Sequence, residues 1–253
     1  MKVELHGGKT NKSYKLDDKY FFQEKTYTGF NHGIDYNLTQ NFTFVPKLIA
    51  NSKTEATWDF IDGKIPEMSK DNLIQIGRNI RTLHMTDIQF PKNNIASRVK
   101  NYQKTIREKG LKISVIDDFY RRINLILRNS ENIYPCHNDL WPINMLQDED
   151  NKIWFLDWEY ATMGDKHFDL AYFICASNLN SEQIDWLYQG YAGPVEEEYI
   201  LQNMILVNYL VVLWVNAQTV KHFDDKPYID KIYALDKEYQ TKKQNKSFQT
   251  YNE

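Results

Sequence analysis

Cysteine is nearly absent: two residues in 253, Cys136 and Cys175. That excludes a disulfide framework or a cysteine-built metal centre and suits a reducing compartment. An excess of positive charge is missing too. Lys and Arg number 31 against 34 Asp and Glu, a formal net charge of −3, so nothing points to nucleic acid as a partner. The opening MKVELHGGKT has no apolar stretch of the kind a secretory leader needs, so none is expected. The longest apolar run, Ile205–Val215, is interrupted by Asn208 and falls short of the ~20 residues that cross a bilayer. Internal repeats and low-complexity linkers are also lacking. A cytoplasmic protein with no membrane insertion is expected, and 42% hydrophobic residues can fill the core of one large or two small domains.

The first 62 residues read as β-rich. Strands are expected at Lys2–Leu5, Ser13–Leu16, Lys19–Lys25, Leu48–Ala50 and Ala56–Ile61, with a short helix at Asn31–Leu38. The Asp62-Gly63 turn marks a boundary, giving domains 1–62 and 63–253. The second domain is mainly helical. Ser69 caps a helix to His84 that puts Leu73, Ile76, Ile80 and Leu83 on one face. Ser97–Lys109 is stopped by Gly110, and Ser114 with Asp117 gives a capping-box-like start to Val115–Arg128. Two short strands flank the turn Gln147–Lys152. Helices then follow near Phe168–Ser177, Ser181–Tyr191, Val195–Phe223 and Tyr228–Lys243.

Chemistry concentrates in Cys136–Asp157, CHNDLWPINMLQDEDNKIWFLD. His137, Asp139 and Asn144 stand at the spacing H-x-D-x-x-x-x-N, and Asp157 closes the apolar run Ile153–Leu156. Phosphoryl transfer needs one carboxylate to take or orient the acceptor proton. It also needs an amide oxygen and a second carboxylate to hold Mg²⁺ on the nucleotide phosphates. Near the N-terminus, Gly7 and Gly8 permit close backbone approach to phosphates, and Thr10, Asn11 and Ser13 offer donors; the same residues also read as a plain hairpin turn. A kinase further needs a cation on the third strand with a supporting acid, and Lys25 with Asp35 fills that requirement. The adenine-contacting hinge falls at Trp58–Ile61, with Asp59 and Ile61 as candidates.

The segments HNDLWPIN and FLDWEYATMGDKHFDLAYF resemble the choline/ethanolamine kinase branch of the aminoglycoside-phosphotransferase-like kinases. GGKTNKSY resembles the glycine loop of bacterial choline kinases, and Thr82-Leu83-His84 the end of a C-lobe helix in that superfamily. The resemblance implies an α+β, two-lobed, protein-kinase-like fold with a small antiparallel β N-lobe and a larger helical C-lobe. It implies ATP with Mg²⁺ and a small cationic alcohol such as choline or ethanolamine as acceptor, in a monomer or homodimer. By the same resemblance Asp139 matches the catalytic base, Asn144 and Asp157 the metal ligands, and His137 and Asp169 structural supports.

A quaternary ammonium is recognised by aromatic faces and nearby carboxylates. Trp214 resembles a tryptophan on the choline-site helix, while Val211 stands where a companion tryptophan does. Trp141, Tyr228 and Glu159, the acid of a D-x-E-Y motif, complete the acceptor candidates. The sequence departs from the family at Ala176 and Ser177, where choline kinases carry a glutamate. An aminoglycoside, thiamine or sugar-like acceptor, and a nucleotide-binding pseudokinase serving as a partner module, remain alternatives. Neither D-F-G nor A-P-E occurs, which argues against a protein kinase.

Overall fold

The computed structural model describes residues 1–5 and 10–252, so Gly7 and Gly8 lie outside the described residues. Alternating and aromatic residues build an antiparallel sheet of β1 (Lys2–Leu5), β2 (Lys12–Leu16), β3 (Tyr20–Glu24), β4 (Leu48–Asn51) and β5 (Glu55–Asp59) in the order β1-β2-β3-β5-β4. Asp17 and Asp18 join β2 to β3 with φ of 49° and 55°, the backbone twist that short hairpin loops favour.

The helix expected at Asn31–Leu38 does not form. His32 adopts φ 54°, and the Asn31 side chain accepts from the Thr28 backbone N–H, so the chain spends its donors locally. A 3₁₀ turn over Tyr36–Asn41 follows, capped by Asp35, which accepts from the Asn37 N–H.

The connection to the second half is packed tightly onto the chain at Gln147. Lys64 and Gln147 exchange backbone hydrogen bonds of 3.0 and 2.7 Å. A Cβ at Gly63 would sit 2.6 Å from the Gln147 carbonyl oxygen, so only glycine permits this approach.

Helix α1 (Lys70–His84) begins at the Ser69 cap and buries Leu73, Ile76, Ile80 and Leu83 completely. Helix α2 spans Ile95–Glu108. The single helix expected at Val115–Arg128 is instead α3 (Ser114–Asp118) and α4 (Tyr120–Asn129). The backbone leaves helical geometry at Phe119, and Ile113 caps α3 without a side-chain bond, so the Ser114–Asp117 capping box is not made. Next come β6 (Tyr134–Cys136), β7 (Met145–Gln147), β8 (Ile153–Phe155), β9 (Thr162–Gly164), α5 (Lys166–Ser177) and α6 (Ser181–Tyr191). β6 pairs with β9 and β7 with β8.

The helix expected at Val195–Phe223 is shorter. Val195–Glu196 forms β10, paired with β11 (Thr250–Tyr251), and α7 occupies Glu197–Ala217. At 21 residues α7 is long and apolar enough to cross a bilayer, beyond the apolar run that the sequence displays, yet it is largely buried against α2, α4, α5 and α8 (Lys226–Asn245). It is the core helix of this half.

Candidate functional site

The loop after β6 is held by one acid. Asp169, on α5 and fully buried, accepts from the backbone N–H groups of His137 and Asn138, both at 2.7 Å, and from His84 Nε2 at 3.3 Å. Asn138 has φ 61°, and its side chain donates to Thr162 Oγ1 at 2.8 Å, which fixes the turn that presents Asp139. The His137 ring donates from Nε2 to the Leu156 carbonyl at 2.8 Å and packs 4.6 Å from the Trp158 ring. Burial lowers its pKa, so the neutral ring braces the loop after β6 against the end of β8.

Asp139 is gripped from both sides. Tyr172 Oη donates to Oδ1 at 2.6 Å, and Asn144 Nδ2 donates to Oδ2 at 3.1 Å and to the Asp139 carbonyl at 2.9 Å. Trp141 Nε1 in turn donates to Tyr172 Oη. Desolvation pushes the Asp139 carboxyl up to about 6, against the lowering effects of Tyr172, Arg98 and Asn144. Arg98, on α2, is 6% exposed, lies 4.3 Å over the Tyr160 ring, and leaves Nε and Nη1 without a partner.

Asp157 follows β8 in the left-handed region, φ 56°, a conformation that costs a non-glycine residue energy and re-aims its side chain. The Leu156 N–H donates to the Asn144 carbonyl at 2.8 Å, which ties the Asn144 turn to the strand carrying Asp157. Burial pushes the Asp157 carboxyl far above its ordinary value, the charges of Glu159 and Asp139 add to this, and a hydrogen bond from Gln23 opposes it. Three carboxylates thus crowd one desolvated region, and a hard divalent cation with oxygen ligands relieves that crowding. Asn144 spends its amide nitrogen on Asp139, which leaves its oxygen for a cation beside Asp157. The residues present fit such an ion.

On the nucleotide side the structure departs from the sequence reading. Lys25 lies beyond β3. Its ammonium donates to Asn51 Oδ1 and the Ser52 carbonyl, both at 2.7 Å, because its backbone N–H is engaged with the Thr54 carbonyl of the β4–β5 turn. Asp35 is exposed and bonded to Asn37, so the Lys25–Asp35 pair does not exist. The buried strand position facing Asp157 holds Gln23, a neutral amide. Thr10 is half-buried at a bend, and Ser13 lies opposite Gln23 across β2–β3. Asp59 ends β5 with its N–H on the Lys47 carbonyl, and Ile61 is half-buried in the connection that follows.

Glu159 is 3% exposed and faces these N-terminal segments, not the aromatic cavity. Its Oε2 accepts from Asn11 Nδ2 at 2.9 Å, Asn31 Nδ2 at 2.8 Å and His32 Nε2 at 3.0 Å. Asn11 is therefore committed to Glu159. Beside Tyr172 opens a cavity of about 50 Å³ whose walls include Trp141, Tyr172, Val211 and Tyr228, with Ala176 and Asn208; no carboxylate is among its described lining residues. Trp214 lies outside this lining, stacked on His222 at 5.4 Å and packed near Phe223, which in turn meets Tyr228.

Tyr172, Asn31, His32 and Arg98 are residues at this site to which sequence reasoning assigned no role. Tyr172 had a local signal, one helical turn after Asp169. The others face partners far away in the chain.

Residues 64–192 match the choline/ethanolamine kinase family. A "Protein LicA homolog" of Mycoplasma capricolum subsp. capricolum is 41% identical over 232 residues, covering 92% of this chain and 96% of that protein. A second LicA homolog, of Metamycoplasma hominis, is 44% identical over 237 residues, covering 92% and 95%. Among solved structures, the choline kinase LicA of Streptococcus pneumoniae superposes with a TM-score of 0.77 at 18% identity, over 95% of this chain and 93% of that one. A spectinomycin phosphotransferase superposes at 0.60 and 14% identity, over 92% and 88%. These likenesses show the two-lobed protein-kinase-like fold. The chain belongs to the choline/ethanolamine kinase family and is a choline kinase-like small-molecule phosphotransferase.

Proposed function

We propose that the chain moves the γ-phosphate of ATP to the hydroxyl of choline, with ethanolamine as the nearer alternative, in the cytoplasm and with Mg²⁺. Residues 1–62 form the nucleotide lobe and residues 63–253 the acceptor lobe. The carrying observation is Asp139, gripped by Tyr172 and Asn144 beside a cavity walled by aromatic rings. Asp139 takes the acceptor proton as the acceptor oxygen bonds to the γ-phosphorus and the bond from that phosphorus to the β–γ bridging oxygen breaks. Tyr172 and Asn144 fix the plane of the carboxylate. Asn144 and Asp157 would hold Mg²⁺, which when bound neutralises charge on the phosphates. His137 and Asp169 keep the loop in shape.

Two supports favour choline. Relatives that cover almost the whole chain are named LicA homologs, and the pneumococcal LicA is described as a choline kinase. The cavity also offers the ring faces of Trp141, Tyr172 and Tyr228, which suit a quaternary ammonium that donates no hydrogen bond. Turnover with Mg-ATP across choline, ethanolamine, thiamine and kanamycin tests the reading. Choline is expected to give the highest kcat/KM; a preference for kanamycin or thiamine contradicts it.

A further inference from the structure

We infer that Asn11, Asn31 and His32 form a clamp on Glu159 that registers the nucleotide-side strands against the loop carrying Asp157, with His32 as its central positioning residue. The inference rests on the kinase reading above.

The clamp is built from contacts between distant parts of the chain. Asn31 and Glu159 are 128 residues apart in sequence, and Asn11 and Glu159 are 148 apart. His32 is held twice, because its backbone N–H donates to the Glu159 carbonyl at 2.7 Å while its ring meets the carboxylate. The hydrogen on the ring's Nε2 follows from its neighbours. Asn11 Oδ1 accepts from the Thr26 N–H at 2.9 Å, so the atom 2.9 Å from His32 Nε2 is an oxygen. Glu159 Oε2 is an acceptor as well, so Nε2 carries a hydrogen, while Nδ1 lies 2.7 Å from Tyr36 Oη. Asn31 Nδ2 also donates to the Thr26 carbonyl at 2.8 Å, which closes the segment 26–32 onto itself. Removing any of these donors leaves polar atoms unpaired away from water.

The placement gives the clamp its consequence. Glu159 lies two residues after Asp157, and Asn11 directly precedes β2. Kinases usually hold the phosphates on the nucleotide side with a strand cation paired to an acid. Here Gln23 occupies the strand, and Lys25 points to Asn51 and Ser52. The Glu159 carboxylate joins Asn11 to the loop carrying Asp157. The aromatic cavity, by contrast, is lined entirely by residues from 141 onward, so loss of the clamp leaves it intact.

The test is calorimetric binding of Mg²⁺ with a non-hydrolysable ATP analogue, which needs no acceptor, together with the KM values for ATP and choline. His32→Ala is expected to weaken nucleotide binding and raise the KM for ATP about tenfold, the scale of a lost hydrogen bond to a charged group, with the KM for choline unchanged. His32→Gln, which keeps an Nε2 donor, is expected to recover most of that loss. Asn31→Ala is expected to weaken nucleotide binding to a smaller degree, and it carries the test should His32→Ala not fold. Wild-type nucleotide affinity in these variants, or a rise confined to the choline KM, overturns the clamp alone. Wild-type protein that binds no Mg-nucleotide overturns the kinase reading and the clamp together.

Discussion

Tyr172 Oη donates to Asp139 Oδ1 at 2.6 Å while it accepts from the Trp141 indole N–H. One hydroxyl therefore links the proposed base to the wall of the aromatic cavity. Tyr172→Phe removes the donor and keeps the ring. Because this bond lowers the Asp139 pKa, its loss is expected to shift the acid limb of the kcat/KM profile to higher pH. Activity is expected to fall by about tenfold at neutral pH, the usual scale for one charge-assisted hydrogen bond. A pH–rate profile of the variant checks both.

Asp139 also carries a stability cost. Burial raises its pKa from the ordinary 3.8 to about 6, so the folded state binds this proton more tightly than the unfolded chain. Stability from this group is therefore full below about pH 4 and is lost as pH rises through about 6. In metal-free protein, Asp139→Asn is expected to raise the Tm by a few degrees at pH 7.5, and the gain is expected to vanish near pH 4. Melting curves of both proteins at the two pH values measure it.

Acceptor recognition divides the aromatic residues. Trp141 and Tyr228 line the cavity, whereas Trp214 is stacked on His222 beyond it. Trp141→Ala and Tyr228→Ala are expected to raise the choline KM about tenfold or more, the scale of a lost cation–π face. Trp214→Ala is expected to change it less than threefold, within the RT-scale effects of distant repacking. Steady-state kinetics with ATP held saturating separates the three.

Gly63 gives a purely structural test. A Cβ there would lie 2.6 Å from the Gln147 carbonyl, a backbone atom that cannot step aside. Gly63→Ala is expected to destabilise the protein by about 1–3 kcal/mol, as overpacking does. Urea unfolding measures the loss.

The catalytic loop was legible because its signal is local. His137, Asp139 and Asn144 lie within eight residues, and strand–turn–strand geometry brings Asp157 back beside them without help from elsewhere. Helix α1 was legible because four apolar residues repeat at helical spacing, and all four are fully buried. The nucleotide side was harder to read. Where Lys25 points depends on the β4–β5 turn that captures it, and period-two alternation carries no information about that turn. His32 reads as an ordinary residue of the expected Asn31–Leu38 helix until Glu159 is beside it. The break at Phe119 was hidden for a related reason: its helical periodicity continues on both sides, and the interruption lies in the backbone angles.

The most direct measurement is transfer of labelled γ-phosphate from ATP to choline by the purified protein, with Mg²⁺ and with EDTA, beside Asp139→Asn. Phosphocholine formed only with the cation, and reduced about 10²- to 10⁴-fold in the variant with nucleotide binding retained, is the expected result. Nucleotide binding without transfer to choline, or a variant that keeps the wild-type rate, contradicts it.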